Sequence, residues 1–127
     1  MKDSIIVRLP YPHKFWGITI SMGRNIGFLF TNLSMFLFRE NNIVGTSFEF
    51  DKWRKENGDT RYLTEQFYAA AQAYCMQFRL KQTFTKTNLT QAIGASGEET
   101  QKKLLDAWQH SHSFGLVESK KKPMTKR

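Results

Sequence analysis

Few residues of this chain are of a type that could carry out a reaction, and their spacing matches no catalytic arrangement. The only cysteine, Cys75, has no obviously placed base, so we interpret it as a packed thiol rather than a nucleophile. His110 and His112 could offer two imidazoles to a metal, but no carboxylate or cysteine at a ligand spacing accompanies them. Nucleophile-elbow, phosphate-loop and zinc-protease motifs are absent from the sequence. We therefore expect a protein that is not an enzyme, with no catalytic residues, no metal site and no cofactor.

Nucleic-acid binding is a second chemistry to weigh, because residues 87–108 resemble a helix-turn-helix: a short helix, a glycine turn and a second helix. The second helix would begin with Glu98 and Glu99, which repel phosphates, while the lysines that follow them favour DNA. The alternative interpretation is two helices joined by a capped turn. In the DNA-binding interpretation the contacting residues are Lys102, Lys103, Lys120, Lys121 and Lys122.

The net charge of +8 comes from 19 basic and 11 acidic residues, and it is unevenly distributed. Residues 118–127 hold five basic residues and one acidic residue, so half of the excess lies in this short segment. We predict a single globular domain over residues 1–117, followed by a disordered basic tail over residues 118–127. Such a tail attracts any polyanion without sequence selectivity.

Phenylalanine is crowded into one part of the chain, since six of the 11 lie between residues 28 and 50. On a helix, Phe36 and Phe38 would point about 200° apart, so one strand and one short helix cannot easily bury the whole set. Either the core wraps both sides, or some of these rings form a partner-binding surface. The residues predicted for that surface are Phe28, Phe30, Phe36, Phe38, Phe48, Phe50 and Trp53.

Strands are predicted in the first thirty residues by alternating apolar and β-branched residues. Residues 4–9 form the first strand, which should stop at the cluster of Pro10 and Pro12. Residues 15–21 form the second, residues 22–25 a turn, and residues 26–30 a third strand. The result is a small antiparallel hairpin or a three-stranded sheet.

About four helices should pack on this sheet, giving an α+β fold. The first covers residues 32–40 after a Thr31 cap, and a turn at residues 56–59 precedes a long central helix over residues 60–80. Residues 43–53 fit neither helix nor strand periodicity and are interpreted as a partly ordered connection that could include a helical turn. A short helix begins at Thr85 or Thr87, and a final helix begins with a capping box from Ser96 to Glu99.

The location in the cell is expected to be the cytoplasm, and we predict no association with a membrane. No apolar run approaches the ~20 residues of a membrane-spanning helix. The first residues lack the pattern of a secretory signal, and a single cysteine excludes an intramolecular disulfide framework.

The order of these segments resembles the tail assembly chaperones of long-tailed bacteriophages, over roughly residues 18–114. The resemblance lies in a strand that leads into a short aromatic helix (residues 23–41), a central helix rich in Tyr and Ala (residues 60–80), and two final helices that include Trp108 (residues 85–114). It implies a non-enzymatic protein of bacterial cytoplasm that binds the tape-measure protein and tail tube subunits during virion morphogenesis, with self-association left open.

Two further expectations accompany this resemblance. Family members are often also made as longer products by translational frameshifting, and the run Lys120–Lys122 could be encoded by a slippery stretch of adenines. A structural tail or head-completion protein is the remaining alternative to a chaperone or a small basic DNA-binding protein.

Overall fold

A computed structural model describes residues 4–110 of the chain. Two strands come first, β1 (Ser4–Phe15) and β2 (Ile18–Leu29), and three helices follow, α1 (Asn32–Asn42), α2 (Ser47–Gln77) and α3 (Lys86–Ala95). A fourth helix, α4, covers residues 98–110. The predicted α+β class, with an antiparallel hairpin packed on four helices, is confirmed. The predicted basic tail, with Lys120, Lys121 and Lys122, and also His112 lie outside the described residues.

The hairpin differs from the prediction because its turn lies at Trp16 and Gly17 and not at residues 22–25. Both turn residues have positive φ, 53° and 82°, as a two-residue hairpin turn of the primed type requires. Pro10 and Pro12 do not end β1, because β1 is an edge strand and proline there removes only an outward-pointing N–H. The described sheet therefore has two long strands in place of three short ones.

One face of the inner half of the hairpin supplies more buried residues to the main core than any one helix does. Val7 lies directly opposite Ile26, and residues that lie opposite each other share a face of the sheet. The odd-numbered residues of β1 are therefore on the same face as the even-numbered residues of β2. This face packs against α2, α3 and α4. The buried residues of the cluster are Val7, Leu9, Tyr11, Ile26, Phe28, Phe30, Phe67, Ala70, Ala71, Phe84, Leu89, Ala92 and Leu104.

A second, aromatic cluster joins α1 to α2. Phe38 is fully buried, with its ring 5.3 Å from Trp53 and 5.6 Å from Tyr62 in edge-to-face geometry. This contact is possible because α2 is kinked at Gly58, where φ is 86°. Residues 47–57 are helical, which corrects the predicted connection over residues 43–53. The chain adopts the helix here because its first turn is capped and its aromatic side packs on α1.

Candidate partner-binding surface

The outer half of the hairpin exposes the continuation of its buried apolar face. Phe15, Ile18, Ile20 and Met22 lie on the face that is buried further in, yet they are 44% to 63% exposed. The other face carries Lys14, Thr19 and Ser21 at the same level. We call Phe15, Trp16, Ile18, Ile20 and Met22 the tip surface. It is contiguous and one-sided, which is typical of a surface that another molecule covers.

Trp16 lies at the end of this surface, in a backbone conformation that is unfavourable for tryptophan. Its φ of 53° lies in the left-handed region, where glycine and asparagine are preferred and a bulky residue is strained. Its side chain is 99% exposed, so burial within this chain does not compensate for the strain. A large aromatic residue that supports neither the turn nor the core points to a role in binding.

The charged side chains of the hairpin are all of one sign. Residues 4–29 contain no Asp or Glu, whereas Arg8, Lys14 and Arg24 are cationic. The Arg24 guanidinium lies 4.6 Å from the centre of the Tyr11 ring and donates hydrogen bonds to the carbonyl and hydroxyl of Thr83. The hairpin therefore combines an exposed apolar face with a positive electrostatic potential.

The predicted phenylalanine surface is only partly available. Phe28, Phe30 and Phe38 are buried in the two clusters, so they cannot contact a partner in this conformation, which corrects the prediction for these three. Their burial follows from α2, which covers the inner hairpin and α1 together. Phe36 and Phe48 are exposed. Phe50 and Trp53, the remaining residues of the predicted set, are half-buried in the aromatic cluster.

The tip surface was not predicted as a site, although a signal for it exists. Trp16, Ile18, Ile20 and Met22 alternate, which the sequence shows, and a positively charged hairpin without acids is equally visible. Placing the turn at residues 22–25 hides the signal, because it puts Trp16 inside a strand. Only the position of the turn at Trp16 and Gly17 reveals that these residues project past the core.

The helix-turn-helix segment has a different character. Lys102 and Lys103 are exposed on α4, but Glu98, Glu99 and Asp106 are also exposed on this helix. The helix therefore presents three acidic residues and two lysines, which does not form a basic surface for phosphates.

The turn before α4 is closed locally. The Gln101 amide donates to the carbonyls of Ile93 (3.0 Å) and Ser96 (3.2 Å). The Ser96 hydroxyl and the Ser96 backbone N–H both donate to the Ile93 carbonyl, so the N–H that the predicted capping box would pair with Glu99 is already bonded elsewhere.

The thiol of Cys75 fits the interpretation as a packed side chain. It is half-buried at the wall of a cleft of about 370 Å³ between β2 and the end of α2. Burial raises the pKa of Cys75 above its ordinary value, and the charge of Arg24 lowers it to a smaller extent, so the surroundings favour the neutral thiol over the thiolate. His110 is exposed at the end of the described helix. Among residues 4–110, no three His, Cys, Asp or Glu side chains come together in a way that could hold a metal ion.

Comparisons with protein-family models, with curated proteins and with solved structures found no significant match to this chain. Within the described residues, no helix is both long and apolar enough to cross a membrane. Within residues 4–110, the exposure of Trp16 and of the apolar side chains beside it makes the tip surface the best candidate for a functional site.

Proposed function

We propose that the protein is a bacteriophage tail assembly chaperone of the bacterial host cytoplasm. It has no enzymatic activity, and it binds apolar segments of the tape-measure protein and of tail tube subunits while the tail is assembled. The observation that carries this proposal is the tip surface, where Phe15, Trp16, Ile18, Ile20 and Met22 are exposed on the folded chain. A chaperone must display apolar surface when folded, because its partner has to be covered before that partner assembles.

The order of the segments supports the same function. The resemblance covers roughly residues 18–114, and it brings with it a partner that is long, apolar and prone to aggregate. A cationic hairpin also speeds the encounter with an acidic partner and disfavours a basic one. The surface thus fits a protein that holds an apolar chain reversibly.

Co-expression with the tape-measure protein encoded in the same gene neighbourhood tests the proposal. The wild-type chain should increase the soluble fraction of the tape-measure protein and co-purify with it, and the double variant W16S/I18T should do neither. I43N is the matched control, because Ile43 is 89% exposed at the end of α1, outside the hairpin and outside the predicted binding residues. Equal solubility of the tape-measure protein with and without the wild-type chain would refute the proposed function.

Mass spectrometry of purified phage particles separates the chaperone from a structural tail or head-completion protein. A chaperone leaves before the particle is complete, so its peptides should be absent from mature virions and present in the lysate. Peptides at a stoichiometry similar to that of tail proteins would contradict the chaperone and favour the structural alternative.

A further inference from the structure

The two long edges of the hairpin are not equivalent, and the difference can be derived from its turn. A two-residue loop makes its flanking residues, Phe15 and Ile18, a hydrogen-bonded pair. Hydrogen-bonded and non-hydrogen-bonded pairs alternate along the ladder, so the pairs Pro12–Ser21 and Pro10–Gly23 belong to the second kind. The backbone N–H and C=O groups of such pairs point away from the hairpin.

The outer edge of β1 is therefore blocked, and that of β2 is open. Pro10 and Pro12 remove the outward N–H at two successive outward positions of β1. At the matching positions of β2, Ser21 and Gly23 keep theirs, as does Thr19 nearer the turn. Proline on only one edge is a device that prevents pairing there and leaves pairing allowed on the other side.

Other parts of the described chain cover β2 only further in. From Arg24 to Gly27 the strand faces the end of α2 and residues 80–84 across the cleft, and Arg24 is hydrogen-bonded to Thr83. From Ile18 to Gly23 every residue is exposed, and within residues 4–110 the sheet has no third strand. We call residues 18–23 of β2 the open edge.

Building on the chaperone function above, we propose that the open edge takes up an extended segment of the partner protein as a third strand. Backbone groups of Thr19, Ser21 and Gly23 bind the added strand, as in other cases of recognition by strand addition. Alternate side chains of that strand extend the tip surface beside Ile18 and Ile20, which gives the preference for an apolar partner.

Charge identifies the chemistry of the remaining side chains of the partner segment. They lie on the opposite face, where the Arg8 side chain extends across Gly23 and Lys14 stands near the turn. Because residues 4–29 contain no acidic group, a segment that alternates apolar with acidic residues is complementary to this face. A second copy of the hairpin would bring only like charges to it, so the occupant we propose is an acidic segment of another protein.

The decisive variant is S21P, measured by fluorescence anisotropy on the full chain. The probe is a labelled synthetic peptide that alternates valine with glutamate, and its counterpart carries lysine in place of glutamate. S21P removes one outward N–H, but the hairpin should remain intact, because the pair Pro12–Ser21 contributes no hydrogen bond to the ladder. We expect affinity for the glutamate peptide to fall about tenfold or more in S21P, since a peptide carbonyl loses its donor. S21A keeps the N–H and should bind like wild type, and the lysine peptide should bind wild type about tenfold more weakly.

Amide hydrogen exchange on the wild-type chain gives a second readout that does not depend on a variant. Strand addition should slow exchange at Thr19 and Ser21 when the glutamate peptide is bound. Binding without such protection, or an affinity that S21P leaves unchanged, would overturn strand addition. Strand addition would also be overturned if the chain sediments with phosphatidylglycerol vesicles but does not bind the peptide. A dimer of the wild-type chain that dissociates in S21P would overturn it as well, because the open edge would then pair with a second copy.

The outcome can be distinguished from that of the chaperone test. If the tape-measure protein co-purifies equally well with wild type and S21P, the chaperone function stands and strand addition is wrong. In the other case the tape-measure protein does not co-purify with the wild-type chain, but the glutamate peptide binds and its affinity falls in S21P. The chaperone function is then wrong, and strand addition at the open edge is supported.

Discussion

Replacing Lys86 with methionine should destabilise the protein more than replacing Glu65 with glutamine. The Glu65 carboxylate lies at the junction of three helices, where it accepts hydrogen bonds from Lys86 Nζ at 2.9 Å, Arg61 Nε at 3.0 Å and Asn42 Nδ2 at 3.3 Å. Its side chain is 0% exposed, whereas those of Lys86 and Arg61 are 38% and 53% exposed. The anion is therefore the buried partner, and the two cations retain contact with water.

The magnitude follows from this asymmetry. In K86M the carboxylate stays buried and loses one charge-assisted bond, and breaking a buried ion pair costs about 3 to 5 kcal/mol when no other cation remains. Because Arg61 and Asn42 remain in contact, we expect K86M to lose about 2 to 3 kcal/mol of unfolding free energy. In E65Q no charge is left buried and both cations can be hydrated again, so the expected loss is about 1 to 2 kcal/mol. In the double variant K86M/E65Q, the methionine should add little to the cost of E65Q.

Urea unfolding, followed by circular dichroism and tryptophan fluorescence on all four proteins, measures these quantities. The slope of free energy against urea should be unchanged, and the double-mutant cycle should give a coupling of about 2 kcal/mol between Lys86 and Glu65. A loss in K86M smaller than that in E65Q, or losses that add within about 0.5 kcal/mol, would refute the reasoning. Either result would mean that the carboxylate reaches water in solution.

Two further predictions concern the hairpin turn and the thiol. W16N creates an Asn-Gly turn with Gly17, so it should raise the unfolding free energy in urea by about 0.5 to 1 kcal/mol and weaken partner binding; a lower stability would contradict the strain at Trp16. Burial raises the pKa of Cys75 above its ordinary 9.0, so the contribution of this neutral thiol to stability is present below that pH and is lost as the pH rises further. The melting temperature of the wild-type chain should therefore fall more than that of C75A between pH 8 and pH 10, and equal falls would contradict this assignment.

Local patterns predicted the helices better than they predicted the sheet. The side chain of Thr85 caps α3 by accepting a hydrogen bond from the Asn88 N–H at 3.1 Å, and Thr31 lies at the N-cap of α1. Both positions were predicted, because a short polar side chain before an apolar helical pattern favours a helix start. The end of α1 differs, because Ile43, and neither of the two asparagines before it, adopts the left-handed conformation. A β-branched residue in that conformation is not predictable from propensity, since only the path of the chain into α2 requires it.

The sequence predicted which side of α1 each phenylalanine faces, but it did not predict which other elements would cover the phenylalanines. Phe36 and Phe38 were expected on different sides of the helix, and Phe36 is exposed whereas Phe38 is fully buried. The depth of burial of Phe28 and Phe30 depends on α2, which lies far away in sequence and packs on them only after the kink at Gly58. Such long-range coverage leaves no periodic signal in the strand that it covers.

An open strand edge next to an apolar face ordinarily leads to self-association, and the hairpin contains features that oppose it. Each hairpin carries Arg8, Lys14 and Arg24 and no acidic residue. If two copies paired through their open edges, these positive charges would therefore repel each other. Each pair of like charges at 10 Å costs about 0.4 kcal/mol in water before screening by salt, and several such pairs would form. The blocked edge of β1 also prevents growth of a sheet in the other direction, because Pro10 and Pro12 lack the donors that a further strand needs. These features leave an acidic extended segment as the complementary occupant, so the same residues that keep the hairpin from pairing with itself define what it can bind.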